Sequence, residues 1–217
     1  AEDVHKPITR LVSLENTTNR GGGACYEFEA FKEVKEVTNT HGLALHLDGA
    51  RLFNAIVHKK EAPVLYGQVF DSISICLSKG LGAPVGSVLL GTQAFIKKAR
   101  RWRKVFGGGM RQAGYLAAAG IYALEHHIER LAEDHKNALA LSEVLASKDF
   151  VESILAVETN IVIATIAGKY TAASFTAALK EKGILAIAMT PTQVRFVFHL
   201  NITEADLAKT IDIINTL

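Results

Sequence analysis

Short apolar runs, each ending in a turn that carries polar or charged residues and most followed by a helical rhythm, leave few folds open to this chain. Leu11-Val-Ser-Leu-Glu15 reads as a buried strand that ends in the polar, glycine-rich loop 16–23. Across Tyr26–Thr40 the residues Phe28, Phe31, Val34 and Val37 recur every three positions, a helical spacing that Gly42 is placed to stop. Leu43–Leu47 is the next strand, closed by Asp48-Gly-Ala-Arg51 and followed by a helical segment over 52–57. Asp71–Leu77 runs into Ser78-Lys-Gly-Leu-Gly-Ala-Pro84, and Val85–Leu90 is a third strand. Strands alternating with helices predict an α/β fold with a mainly parallel sheet covered on both faces.

Beyond this sheet the pattern predicts helices over 92–105 and throughout 110–147, with Gly107-Gly108-Gly109 as the break between them. After Asp149 the texture changes. Strand candidates Ile161–Ile166, Ile184–Ile187 and Val194–Phe198 alternate with helices near 171–182 and 203–217. Thr203-Glu-Ala-Asp206 reads as a capping box with Asp in place of the usual Glu. The expected organisation is a larger α/β domain over 1–128 and a smaller C-terminal α+β domain over 129–217, joined by the long helix.

A hydrophobic content of 49% is ample for such cores. The net charge of +2 hides an uneven distribution: residues 72–124 hold no acidic side chain, yet include Lys79, Lys97, Lys98, Arg100, Arg101, Arg103, Lys104 and Arg111. An acid-free basic block attracts an anion. Apolar runs stop short of the ~20 residues that a membrane helix needs, and the first residues carry no charged-then-apolar signal pattern. Two cysteines, Cys25 and Cys76, make no disulfide framework and fit a reducing compartment. The expectation is a soluble cytoplasmic protein without a structural metal. His126, His127 and His135 lack zinc-ligand spacing and read as surface histidines; His46 reads as a supporting residue and Cys76 as a small hydrophobe.

Asp48 and Lys79 each follow a strand, and in open α/β sheets ligands bind outside the carboxyl ends of the strands. Either turn alone is ordinary turn chemistry. Together they offer a lysine able to form a Schiff base and an aspartate able to pair with a pyridinium nitrogen, the two groups that pyridoxal 5'-phosphate (PLP) chemistry requires.

Four stretches resemble the L-threonine aldolase family: Leu14-Glu-Asn-Thr-Thr-Asn19, His46-Leu-Asp-Gly-Ala-Arg-Leu-Phe-Asn54, Ser74-Ile-Cys-Leu-Ser-Lys-Gly-Leu-Gly-Ala-Pro-Val-Gly-Ser87 and Arg101-Trp-Arg-Lys-Val-Phe-Gly-Gly-Gly-Met-Arg-Gln112. The resemblance implies a fold-type-I, PLP-dependent enzyme that cleaves β-hydroxy-α-amino acids such as L-threonine and L-allo-threonine to glycine and an aldehyde. It implies Lys79 as the Schiff-base lysine and Asp48 as the partner of the pyridine nitrogen. Arg51 would contact the cofactor ring hydroxyl and the substrate carboxylate, and Arg195 would bind that carboxylate from the small domain. Lys104 and Arg111 would reach the phosphate region of a neighbouring subunit, so a homo-oligomer, dimer or tetramer, is expected. His5 would stand near the substrate's β-hydroxyl as candidate base.

The sequence departs from the family pattern at Thr18, where histidine is usual, and in the absence of the family's N-terminal part ahead of the stretch containing His5. That part supplies a phosphate-holding glycine–hydroxyl pair and a ring-stacking histidine, so residues 1–217 alone are expected to be an incomplete aldolase whose missing partner is that segment. Two other readings compete. Another fold-type-I activity, a transaminase or β-eliminating lyase, uses the same Asp and Lys. Nucleic-acid binding by Lys97–Lys104 is disfavoured because its cations surround the helix instead of sharing one face.

Overall fold

The computed structural model describes residues 4–217. Its first sheet is four-stranded, in the order β1-β2-β3-β4, from β1 (Leu11–Glu15), β2 (Ala44–Gly49), β3 (Ser72–Cys76) and β4 (Ser87–Gly91). The β1–β2 and β2–β3 pairs are parallel, with Glu15 opposite Asp48 and Asp48 opposite Ser74. The last strand is antiparallel to β3. Residues 77–86 contain no helix, and a parallel return needs a longer crossover than such a loop provides.

Helices α1 (Phe28–Thr40), α2 (Leu52–Lys59) and α3 (Pro63–Val69) bring apolar side chains to one face of this sheet. Strand alternation aims Leu45 and Leu47 at that side, where they join a core with Phe31, Leu52, Ile56, Tyr66 and Phe70. Phe31 meets Phe70 at 5.1 Å and Tyr66 at 5.8 Å between ring centroids, in tilted and edge-on geometry. The opposite face of β2 carries His46 and Asp48, both only partly buried. Cover on both faces was expected; among the described residues the full apolar cover lies on the Leu45–Leu47 side.

The second sheet is antiparallel, in the order β5-β6-β8-β7, from β5 (Val151–Ile154), β6 (Ile161–Ile166), β7 (Ile187–Ala188) and β8 (Gln193–Val197). Its core combines Val162, Ala164, Ile166, Val194 and Phe196 with Leu141, Leu145, Phe150, Phe175 and Leu179. Helices α7 (Ala172–Glu181) and α8 (Glu204–Asn215) both start with capping boxes, and Thr203 and Asp206 form the one read from the sequence.

Between them, the expected single helix over 110–147 is divided. α4 (Gln93–Val105) precedes the glycine break; α5 (Gly114–His126) and α6 (Leu131–Ala146) are separated by a turn at 127–130. There the His127 imidazole turns inward, its Nδ1 2.6 Å from the Leu81 carbonyl oxygen, and Leu131 packs fully buried against Leu77 and Leu81. Continuous helical propensity is thus overridden by docking onto the loop after β3. α6 then packs against α2 on one side and against β6 and α8 on the other. Two further elements, α3 and β5, have no counterpart in the sequence patterns. No helix among the described residues is long and apolar enough to cross a membrane.

Candidate active site

Asp48 is the penultimate residue of β2, so its side chain stands at the carboxyl end of the sheet. Its Oδ1 accepts the Ala50 backbone N–H at 3.1 Å, which fixes the turn leading to Arg51. Its backbone carbonyl accepts from Asn16 N at 3.0 Å, tying the neighbouring loop to the same edge.

Lys79 follows β3 in a turn closed by Gly82 N donating to Lys79 O at 2.8 Å. Glycine suits both Gly80, where a side chain would have to displace Leu131, and Gly82, whose backbone is left-handed. A Cβ at Gly80 would lie 2.9 Å from Leu131 Cδ2, and Gly82 has φ +72° with Leu200 Cδ2 only 2.2 Å from where a Cβ would sit. The turn is therefore compressed between α6 and the second sheet's loop, while Lys79 itself remains exposed. It lines a cleft of about 440 Å3 between the two sheets, with Arg51 and Ser78 on one wall and Asn160, His199 and Asn201 on the other. An apolar groove of about 550 Å3 lies between α2–α3 and the β3–β4 side, but no carboxylate, lysine or arginine lines it.

The strongest electrostatic feature is a pair of guanidinium groups. Arg51 Nη1 and Arg195 Nη1, from the two different sheets, both donate to Asn19 Oδ1, at 3.2 and 2.9 Å. Sharing one acceptor keeps the two donor nitrogens within about 6 Å, where two unit charges repel by about 1–3 kcal/mol. Burial first, and the charge of Arg195 second, push the Arg51 guanidinium below its ordinary pKa, with Glu15 opposing them. Arg195 Nε is buried without a hydrogen-bond partner. Two like charges beside an orphaned donor call for an anion.

Of the residues singled out in the sequence, Lys79 and Arg51 line the cleft, Asp48 stands at the same strand edge, and Arg195 joins Arg51 through Asn19. Lys104, in the last turn of α4, and Arg111, in the loop after it, are exposed and lie outside the cleft lining. His5 lies in an exposed turn ahead of β1, also outside that lining. His46 Nδ1 is 2.8 Å from Ser72 Oγ, a supporting contact within the sheet. Asn19 ends one of the runs that carry the resemblance and His199 directly follows the expected strand Val194–Phe198, but neither was assigned a role from the sequence, because neither spacing nor residue type announces a place at this site.

The surface reading of the histidines is corrected at two positions. His127 is half-buried against Leu81, as described above, and His135 on α6 is half-buried with Nε2 3.1 Å from Asn54 Nδ2. An amide N–H pointing at Nε2 requires that nitrogen to be unprotonated. Burial, then the charge of His58, pushes the His135 imidazole down to about 4. The unfolded chain takes up this proton near pH 6.5. The stability due to neutral His135 is therefore complete above pH 6.5 and lost as pH falls from there through about 4. Denaturant unfolding of His135→Gln at pH 7 and 4.5 should show about 2–3 kcal/mol less acid sensitivity than the parent; equal losses in both would remove this site as the cause.

The family described as beta-eliminating lyase matches residues 1–169. The low specificity L-threonine aldolase of Escherichia coli K12 is 45% identical over 208 residues, which cover 96% of this chain and 60% of that enzyme. The low-specificity L-threonine aldolase 1 of Arabidopsis thaliana is 43% identical, covering 94% and 58%. The chain thus spans about three fifths of the length of the curated relatives it matches. A solved threonine aldolase from Leishmania major superposes with a TM-score of 0.79 at 19% identity, over 99% of this chain and 63% of the other. The fold is that of the fold-type-I PLP enzymes, and with more than three quarters of its residues matched, the chain belongs to the beta-eliminating lyase family.

Proposed function

We propose that the protein is a PLP-dependent aldolase that cleaves L-threonine, L-allo-threonine and related β-hydroxy-α-amino acids to glycine and an aldehyde. The observation that carries this reading is the half-buried guanidinium pair with its orphaned Arg195 Nε, next to a cleft that also holds Lys79. It would supply a carboxylate site at the edge of the cleft that Arg51 shares with a primary amine. The names of the sequence relatives from Escherichia coli and Arabidopsis thaliana support the same reaction.

The donor set fits PLP. Lys79 would hold it covalently through Nζ, Asp48 would face its pyridine nitrogen and Arg51 its ring hydroxyl. When bound, the cofactor supplies an electron sink for the pair released as the Cα–Cβ bond breaks. Arg51 and Arg195 grip the substrate carboxylate and so fix which bond at Cα is aligned for cleavage. Asp48 keeps the proton on the pyridine nitrogen. His5, the base that the resemblance offers, lies outside the cleft lining. In this role it, or a water it orients, would reach the β-hydroxyl from the cleft's edge and take its proton as that oxygen becomes the aldehyde carbonyl. A proton delivered to Cα would complete glycine.

The same proposal includes a homo-oligomer in which Lys104 and Arg111 serve a neighbouring subunit's phosphate site, a boundary between units at 128/129, and a cytoplasmic location. Supporting these are the exposure of both basic residues, the separate cores of the two sheets and the unpaired Cys25 and Cys76.

Incubation of the purified, PLP-loaded protein, joined to the N-terminal segment that the resemblance calls for, with L-threonine should yield glycine and acetaldehyde in equal amounts. Ammonia with a 2-oxo acid would instead favour β-elimination, the second reading, which the family's description supports. Arg195→Ala should keep the cofactor's visible absorbance but raise KM by about 10- to 30-fold, the loss of a charge-assisted contact. An unchanged KM would remove Arg195 from the substrate site.

A further inference from the structure

We propose that the side-chain carbonyl of Asn160 holds the Lys79 amine whenever that amine is free of the cofactor, which makes Asn160 a positioning residue of the reaction; this rests on the reading of Lys79 as the cofactor lysine. Both residues line the same cleft, Lys79 from the turn after β3 and Asn160 from the position just ahead of β6. Asn160 is 2% exposed, and its Oδ1 has no hydrogen-bond partner. The amide cannot turn to find one. Its Nδ2 donates to Phe198 O at 2.8 Å, and its backbone carbonyl accepts Phe198 N–H at 2.9 Å. Turned over, the amide would set Oδ1 against a carbonyl oxygen, two acceptors in contact. A fixed, buried acceptor without a donor calls for a donor that arrives during the reaction.

Three donor side chains line the wall that faces the second sheet: Arg51, Ser78 and Lys79. Arg51 is already joined to Asn19, and the Ser78 hydroxyl sits on a single carbon. Lys79 alone brings a long, flexible stem that ends in several N–H bonds. The reaction frees this amine. As the substrate's nitrogen forms its bond to the cofactor, the bond to Nζ breaks, and the two hydrogens shed by that nitrogen pass to Nζ. The released amine shares the cleft with the Arg51 guanidinium, and no carboxylate lines the cleft among the described residues. An amide oxygen suits this setting, because it accepts from the amine without fixing a charge on it. A carboxylate there would hold an ammonium ion, which cannot attack the cofactor to regain it.

The test measures how readily Lys79 reacts in the cofactor-free protein, joined to the N-terminal segment, and in its Asn160→Ala and Asn160→Asp variants. Trace acetic anhydride labels the unprotonated amines, mass spectrometry counts the label at each lysine, and exposed Lys182 and Lys209 serve as internal standards. At about pH 8, Asn160→Ala should raise Lys79 labelling about 3- to 10-fold, and Asn160→Asp should lower it about 10-fold. At about pH 11, above the ordinary lysine value, the alanine variant and the parent should agree within about twofold. Unchanged labelling in either variant at the lower pH, a shift of the same sign in both, or an alanine effect that persists at the higher pH would overturn the proposal, the last because a merely loosened cleft reacts faster at every pH. If melting shows that the aspartate variant does not fold, the alanine variant decides alone by the same two readings. Should Lys79→Ala keep a borohydride-reduced PLP adduct, the cofactor reading fails, while the labelling ratios still judge the contact between Asn160 and Lys79.

Discussion

Lys79→Ala should abolish the borohydride-trappable link between protein and cofactor and lower threonine cleavage by at least about 1,000-fold, some 4 kcal/mol of transition-state stabilisation. A large effect is expected because the proposed role of the replaced group is covalent, and no other lysine among the described cleft-lining residues could substitute. Among the residues lining the cleft, Lys79 is the only lysine. The backbone bonds that hold its turn, Gly82 N to Lys79 O and Ala83 N to Leu77 O, do not involve the side chain, and the side chain is exposed. The variant should therefore fold normally, so its melting temperature serves as the control. A reduced PLP–peptide adduct at parental yield would mean that a different lysine carries the cofactor.

Asp48→Asn should leave the fold intact and lower kcat by about 100-fold or more. The Ala50 N–H that Asp48 Oδ1 accepts is equally well accepted by an asparagine Oδ1, so the turn into Arg51 survives. What would be lost is the negative charge that, in the proposed role, keeps a proton on the pyridine nitrogen, and a hydrogen bond to a charged group contributes up to about 3 kcal/mol. Cofactor uptake followed by its visible absorbance, together with single-turnover rates on L-threonine, separates this failure from a loss of binding. Parental kcat in the variant would show that Asp48 does not carry the electronic role.

The readings that survive into the structure are local ones. β1, α1 and β6 stand close to where apolar periodicity put them, because each element's residues alternate or recur against a single core. Asp48 and Lys79 were legible as strand-end residues because each lies at the end of an apolar run, a position that the chain specifies by itself. The less successful readings are those in which packing overrides propensity. Residues 110–147 are helix-forming throughout, yet the chain turns at 127–130 so that His127 meets Leu81 and Leu131 fills the space above Gly80. His135 looks like a surface histidine beside acidic neighbours, but the approach of α2 to α6 buries it against Asn54.

The strand–helix order, the turn residues after β2 and β3 and the lysine–aspartate pair were set by the sequence alone, through side-chain period and backbone preference over a few adjacent residues. The convergence of Arg51 and Arg195 on Asn19 was decided only by the tertiary structure. Asn19 and Arg195 lie 176 residues apart, and no local pattern encodes that distance. It follows from docking β8 and its sheet against the carboxyl edge of β1 and β2, which buries Arg195 Nε and forces two positive charges together.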